Sequence, residues 1–176
     1  MLGRGSPSKA LRGGVPTRLL CQGNALPRRM TVEARVGMWK RHEVRVDGTP
    51  FQVRRLKGDW YAVDGPLPTL SGRVRYSAWK DVLRIERAEG LLEVHFGWWS
   101  AAFAWKGRTY RIRHSVWGRQ RVYDGDRLVA EGRATFGGFR FDVLMEDLAS
   151  VSRELAFGLA LRAQIQTAMA VAVGAA

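Results

Sequence analysis

The stretch FGLALRAQIQTAMAVAVGAA, residues 157–176, decides the fold, because it can form either a membrane-spanning helix or a helix inside a protein shell. No proline interrupts it, and twenty helical residues at ~1.5 Å each extend about 30 Å. Ser150 or Ser152 can cap the start, and Glu154 lies in the first turn, where the helix dipole favours negative charge. We therefore predict a C-terminal helix over about residues 150–173.

The polar residues of this helix favour a protein interior over a bilayer. Arg162 near a bilayer centre would cost about 2.5–3.5 kcal/mol, and Gln164 and Gln166 add to that cost. The apolar flank of the helix comprises Phe157, Leu161, Ile165, Met169 and Val173. A helix that is apolar nearly all round is typical of a protein core, so we expect β-structure to wrap it. The alternative, in which residues 155–176 anchor the chain in a membrane, stays open.

The body of the chain carries short apolar–polar alternations, which turn signals separate, as in antiparallel strands. The turn residues are Asp47-Gly48, Lys106-Gly107, Asp124-Gly125-Asp126 and Gly137-Gly138. The alternating segments number roughly nine to twelve, a pattern typical of sandwiches and barrels. The predicted fold is mainly β: an antiparallel β-barrel that encloses the C-terminal helix.

Charge divides the chain into two parts. The 176 residues carry a net charge of +13, and residues 1–30 contain six basic side chains and no acidic one. Glycine, proline and serine are scattered through this segment without apolar periodicity, which indicates disorder. We predict a disordered basic extension over residues 1–37 and a single barrel domain over residues 38–176. A nucleic-acid or membrane arm, a transit peptide and a plain extension are open interpretations, of which we expect the last.

The sequence contains no pattern that indicates catalysis. The lone Cys21 excludes an internal disulfide and a cysteine-based zinc site, which favours a reducing cytoplasmic location. His42, His95 and His114 lie in separate strands without carboxylates at ligand spacing, so we predict no metal site. Nucleophile-elbow, phosphate-loop and zinc-protease motifs do not occur. We therefore predict a non-enzymatic protein without catalytic residues or cofactors.

Four arginines form the candidate binding site. Arg111 and Arg113 alternate on one face of their strand, and Arg119 and Arg121 do the same on the next. In aligned register the four guanidiniums would converge and repel each other without an anion. A phosphate site, for a lipid headgroup or a nucleic acid, is one interpretation. The other is a solvated face, which we favour, with counter-charges from Asp124, Asp126 and Glu131.

Trp98 and Trp99 are a candidate contact surface. Adjacent residues of a strand point to opposite faces, so we expect one of them in the core and the other outside. An outward tryptophan beside basic strands suits a membrane interface or a partner surface. It would also stack nucleic-acid bases. The interpretation we favour over these is that the large aromatic side chains fill a wide barrel around the helix.

The order of elements resembles the tubby C-terminal-like fold, the group of the tubby domain, the phospholipid scramblases and the LURP-one-related proteins. The segments whose local residue pattern is similar to that of the group are FAWKGRTYRIR (103–113), VYDGDRLVAEGR (122–133) and FRFDV (139–143). The resemblance implies a non-enzymatic binding or regulatory module that acts at anionic phospholipid surfaces and associates with membranes. Two family features are missing: DGDRLVAE (124–131) lacks the ligands of a calcium loop and indicates a β-turn, and there is no cysteine-rich palmitoylated stretch.

A nucleic-acid-binding barrel is the main alternative function. It is motivated by a pI near 11.1 and by the interleaving of arginine with tryptophan. Anionic phospholipid is thus the first expected partner and nucleic acid the second.

Overall fold

The computed structural model describes residues 29–37, 42–65, 71–115, 118–135 and 138–174. These residues form a closed barrel of twelve strands and one long helix. The first six strands are β1 (Met30–Arg35), β2 (Glu43–Val46), β3 (Thr49–Arg55), β4 (Trp60–Val63), β5 (Gly72–Ser77) and β6 (Val82–Arg87). The others are β7 (Gly90–Phe96), β8 (Ser100–Trp105), β9 (Arg108–His114), β10 (Arg119–Asp124), β11 (Arg127–Thr135) and β12 (Gly138–Val143), followed by helix α1 (Ser152–Gly174).

All strand pairs are antiparallel, and each strand pairs with the strands that precede and follow it in the chain. The barrel closes where β1, the first strand, also pairs with β12, the last. Val32 of β1 lies opposite Val46 on one side and Phe141 on the other. Strand β8 shows the alternation: Ala101, Phe103 and Trp105 are buried, and the residues between them are exposed. The period of two in the sequence thus becomes an inner and an outer face. The predicted antiparallel barrel is confirmed.

The predicted tight turns occur where the sequence indicates them. Asp47 and Gly48 have φ values of 48° and 85°, and Lys106 and Gly107 have 48° and 75°. Two successive positive φ values are what a two-residue hairpin turn with the right twist requires. Residues 124–131 form the turn between β10 and β11 and the start of β11. Of the Gly137-Gly138 turn, residue 137 lies outside the described residues.

The first half of α1 lies inside the barrel. Every residue from 152 to 161 is buried, and Leu155, Phe157 and Leu159 are fully inaccessible. The helix contacts β1, β2, β5, β6, β11 and β12. Burial on all sides of a helix requires a surrounding shell, so the predicted enclosure is confirmed for this half.

The second half of α1 emerges from the barrel, which corrects the expectation that the whole helix is wrapped. Met169 is 45% and Val171 67% exposed, whereas Ile165 is half-buried and still packs on the core. The cause is a mismatch of length. Strands of six residues extend about 20 Å and, when tilted as barrel strands are, give a barrel about 15 Å tall, whereas a helix of 23 residues is about 35 Å long. The side chain of Val173 lies outside the described part.

The barrel begins earlier in the chain than predicted. Met30–Arg35 form β1, which pairs along its length with β12, so the predicted extension over residues 1–37 is corrected at its C-terminal end. Val32 and Ala34 are buried, which reflects the alternation of the segment MTVEAR. Residues 1–28 lie outside the described part, and their predicted disorder stays a prediction.

The up-and-down order gives the barrel two distinct ends. Turns that follow odd-numbered strands gather at one end, and turns that follow even-numbered strands gather at the other. Helix α1 follows β12 and enters at the second end, where Glu154 reaches Arg87 at the end of β6. It emerges at the first end, where Arg162 reaches Asp81 in the β5–β6 turn. We call these the closed end and the open end.

Candidate functional site

The register of β9 and β10 brings the predicted arginines onto one outer surface. Arg113 lies opposite Arg121, and all four arginines are exposed. Arg113, Arg119 and Arg121 line a groove of about 720 Å³ together with Tyr123, whereas Arg111 lies two residue pairs further along, opposite Tyr123. We call this the basic groove. The structure thus brings three of the four guanidiniums to one concavity.

Acidic side chains neutralise the basic groove only in part. Arg121 Nε donates to Glu131 Oε1 at 3.3 Å, across β10 and β11. Arg113 lies over the ring of Tyr123, at 5.3 Å from its centroid. Among the carboxylates of the described residues, none pairs with Arg113 or Arg119. The groove therefore has excess positive charge, and whether it binds phosphate stays a prediction.

Trp98 and Trp99 are both exposed, at 94% and 69%, so the expectation that one of them lies in the core is wrong. Strand β7 ends at Phe96, and the two tryptophans lie in the turn before β8. The alternation of faces holds only within a strand. In a turn the backbone direction changes at each residue, so both rings point outward.

The open end carries an exposed apolar surface, of which the sequence indicates only Trp98 and Trp99 as contact residues. The exposed large apolar side chains of the described residues are Trp79, Leu91, Trp98, Trp99, Met169 and Val171. All except Leu91 lie at the open end, and we call these five the apolar rim. Trp79 follows the end of β5 and is 97% exposed. The turn signal was weak in the sequence, where Trp79 ends an alternating segment. Clustered exposed apolar residues mark interaction surfaces.

A cavity of about 810 Å³ lies inside the rim, between the emerging helix and the turns of the open end. We call it the mouth cavity. Arg162 crosses one wall of it and donates from Nε and Nη2 to the two carboxylate oxygens of Asp81, both at 2.7 Å. Tyr76 donates its hydroxyl to the same carboxylate at 2.7 Å, and Arg162 lies 4.1 Å from the centroid of Phe96. These contacts offset the cost of the cation in an apolar helix.

The ionisation states around this pair follow from its geometry. Burial alone would raise the pKa of Asp81, but the hydrogen bonds from Arg162 and Tyr76 and the charge of Arg162 hold it below its ordinary value. Burial, with the bond to Asp81, raises the pKa of Tyr76. Burial and the charge of Arg162 lower the pKa of His114. At neutral pH the wall therefore contains an ion pair beside a neutral imidazole.

Two polar atoms of the mouth cavity lack a protein partner. Gln120 is only 8% exposed, and its Oε1 is buried without a hydrogen bond, as is Nε2 of His114. Arg119 also lines the cavity, so the lining contains two guanidiniums, Arg119 and Arg162, and one carboxylate, Asp81. The cavity thus offers one net positive charge and buried atoms that need hydrogen-bond partners.

An apolar groove of about 600 Å³ continues from the mouth cavity along the emerging helix. Its walls include Val36, Ala160, Ala168 and Val171, and no charged side chain lines it among the described residues. Three small residues line both spaces: Ala134, Ala163 and Thr167. Oε1 of Gln164, which also lines this groove, is buried without a hydrogen bond. The two spaces therefore adjoin at three small residues, which we call the junction.

The closed end contains a buried ion pair that positions the start of the helix. Arg87 Nη1 donates to Glu154 Oε1 at 2.7 Å, with 1% and 0% of the two side chains exposed. Burial raises the pKa of Glu154, and the charge of Arg87 opposes that shift. A Cβ at Gly72 would lie 2.5 Å from Glu154 Oε1, so only glycine leaves room for the carboxylate. We interpret this cluster as structural.

Metal ligands do not cluster in this protein as far as it is described: no three His, Cys, Asp or Glu side chains lie together in a way that would hold an ion. The helical segment Ser152–Ala172 is long and apolar enough to cross a membrane. Length and composition alone do not distinguish it from the core helix of a soluble protein, which meets the same criteria. Compared with protein-family models, curated proteins and solved structures, the chain has no match. The resemblance to the tubby C-terminal-like fold therefore stays a prediction.

Proposed function

We propose that the protein is a non-enzymatic, tubby-like binding module that docks on anionic phospholipid surfaces with the open end of its barrel. The observation that carries the proposal is the apolar rim, in which three exposed tryptophans lie at the same end of the barrel as the emerging half of an apolar helix. Tryptophan is enriched where membranes meet water, because its ring is apolar and its N–H is polar. A rim of this kind suits the headgroup region of a bilayer.

The helix suits shallow insertion rather than a full crossing. Its exposed part among the described side chains, residues 167–172, is about 9 Å long, whereas a bilayer core is about 30 Å thick. Crossing with the whole described helix would empty the barrel of ten buried residues and break the pair between Arg162 and Asp81. Insertion to roughly 5–10 Å, as for interfacial helices, leaves both intact.

Basic residues beside the rim favour an anionic surface. Lys80 lies in the same turn as Trp79, and Arg119 begins β10 at the open end; both are exposed. Basic residues near an anionic leaflet contribute about 1 kcal/mol each. The basic groove adds Arg113 and Arg121 on the adjoining outer face. The apolar rim therefore supplies insertion and these cations supply preference for negative lipid.

Co-sedimentation with vesicles tests the proposal. The full chain is mixed with vesicles of phosphatidylcholine and with vesicles that also contain phosphatidylserine, and we expect binding to the second. We expect Trp98→Ser to weaken binding about tenfold through the lost apolar burial. Leu91→Ser, an exposed apolar residue at the closed end, is the matched control and should leave binding unchanged. Equally negligible binding of the wild type to both vesicles removes the membrane function.

A nucleic-acid-binding barrel is the second candidate, and the basic groove with Tyr123 favours it. A bound strand would neutralise Arg113 and Arg119 and stack a base on the tyrosine. Filter binding across a salt series should then show affinity that falls steeply with salt, and the slope should become shallower when either arginine is replaced by glutamine. An affinity independent of salt removes this candidate.

A further inference from the structure

We propose that the mouth cavity and the apolar groove together form a binding site for one single-chain phospholipid, whose head carries a phosphate and a free hydroxyl. The acyl chain would lie in the apolar groove and the head in the mouth cavity. This inference deepens the proposed function, because a membrane surface at the open end is the natural source of such a ligand. The site itself is argued from the cavity walls alone.

The size and the division of the space fit an amphiphile. The two volumes, about 810 and 600 Å³, each lie in the range of small-molecule sites. They share the lining residues Ala134, Ala163 and Thr167, whose small side chains are what separates the two spaces. The lining of one space combines aromatic rings with charged and amide groups, and the other is lined mainly by alanine and valine. A ligand that fills both needs one polar and one apolar end.

The charge of the mouth cavity selects an anionic head. The carboxylate of Asp81 accepts two hydrogen bonds from Arg162 and one from Tyr76, so its charge is balanced by that of Arg162. Arg119 has no carboxylate partner among the described residues, so its guanidinium is free to bind an anion. His114 adds no charge at neutral pH because its pKa is lowered. A phosphate beside Arg119 would balance the net charge of the lining.

The buried amide oxygens call for a hydroxyl on the ligand. Gln120 is more than nine-tenths buried, and its Oε1 accepts no hydrogen bond from the protein. Gln164, in the groove, also has a buried Oε1 without a partner. A carbonyl oxygen can only accept, so a phosphate oxygen cannot satisfy it, whereas a hydroxyl can donate to it. Monoacylglycerol phosphate carries the required chain, phosphate and hydroxyl in one molecule.

Calorimetric titration of the full chain with monoacylglycerol phosphate, below its micelle concentration and without vesicles, tests the site. We expect saturable binding of one molecule per chain. Glycerol phosphate, which lacks the chain, and monoacylglycerol phosphocholine, which adds a cation, should bind at least tenfold more weakly. Equal binding of glycerol phosphate would overturn the role of the groove. Absence of saturable binding by the wild type would overturn the site.

Two charge-matched variants separate the cavity from general electrostatics. Arg119→Gln removes the guanidinium that is proposed to bind the phosphate, and it should weaken lipid binding about tenfold or more. Arg111→Gln removes the same charge from an exposed position that lines neither space, and it should leave binding unchanged. Equal losses in the two variants would overturn the proposal. Gln120→Leu should also weaken binding, with the thermal unfolding midpoint measured to show that the variant folds.

Failure of this site and failure of the proposed function are distinguishable. Trp79 belongs to the apolar rim but lines neither space, so Trp79→Ser should weaken vesicle binding and keep the affinity for monoacylglycerol phosphate. Ala163→Leu, which places a larger side chain at the junction, should weaken the affinity for monoacylglycerol phosphate and keep vesicle binding. A variant Ala163→Leu that is folded and binds the lipid as the wild type does would contradict the proposal.

Discussion

Arg162 shows how one polar residue is accommodated in an apolar helix. Its guanidinium makes two hydrogen bonds to Asp81, which is 81 residues away in the chain, and packs over Phe96. The pair joins the helix to the β5–β6 turn at the level where the helix leaves the barrel. A cation there is stable because the carboxylate accompanies it, and the same pair fixes one wall of the mouth cavity.

Removing one member of this pair should cost more than removing both. Asp81→Asn introduces a residue type that tolerates the φ of 47° found here, but it leaves the Arg162 guanidinium without its counter-charge. We expect a loss in the free energy of unfolding on the order of 3 kcal/mol. In the double variant with Arg162→Met the loss should be smaller, because no unpaired charge remains. Urea unfolding of the wild type, both single variants and the double variant measures the coupling; strictly additive losses would contradict it.

His114 should make the stability fall in mild acid. Its pKa is lowered in the folded state from an ordinary value of 6.5, so the unfolded chain takes up the proton first. Stability is therefore complete above about pH 6.5 and falls as the pH drops below that value. Asp81 and Arg162 face the imidazole, and both keep their charge in this range. His114→Phe should flatten the decline of the urea midpoint between pH 7 and 5 without abolishing it, because the pKa of His42 is also lowered by burial. An unchanged slope would show that His114 does not contribute.

At the scale of elements, α1 has an interior half that tolerates little change. A Cβ at Gly158 would lie 2.4 Å from Cδ1 of Leu83, which is itself fully buried. Gly158→Ala gains about 1 kcal/mol of helix propensity but overpacks the core at a cost of about 1–3 kcal/mol. We expect a net loss of stability in thermal unfolding. Ala170→Gly, in the exposed half, is the control and should lose only the propensity; a stabilised Gly158→Ala would contradict the packing.

The two halves of α1 should also separate in truncation experiments. A chain that stops after Gln166 retains the ten buried residues, so we expect it to fold with a nearly unchanged unfolding midpoint. It lacks Met169 and Val171 of the apolar rim and should bind anionic vesicles more weakly. A chain that stops before residue 150 loses the core helix and should unfold or aggregate. Improved solubility of this shorter chain would instead indicate a membrane anchor.

For the whole molecule, the sequence predicts the features that depend on residues close together in the chain, and it does not predict those that join distant residues. The hairpins at Asp47-Gly48 and Lys106-Gly107 join strands that are adjacent in the chain, so alternation and turn residues predict them. The closure of the barrel joins Met30 to Val143, and no local signal in the sequence indicates so distant a partner. The mouth cavity is missed for the same reason, because its walls come from separate turns. The arginines were identified because two of them alternate on each of two neighbouring strands.

The orientation of the whole molecule on a membrane is the last prediction. If the open end docks, Trp79, Trp98 and Trp99 enter the interface, whereas Trp105 stays buried beside the closed end, where β8 turns into β9. Vesicles of anionic phospholipid brominated on the acyl chain should therefore quench much of the tryptophan fluorescence. Replacing Trp79, Trp98 and Trp99, the exposed tryptophans of the part that the structure describes, by phenylalanine keeps apolar rings for docking but should remove most of the quenching. Quenching that persists in this variant, with vesicle binding retained, would show that another face of the barrel meets the lipid.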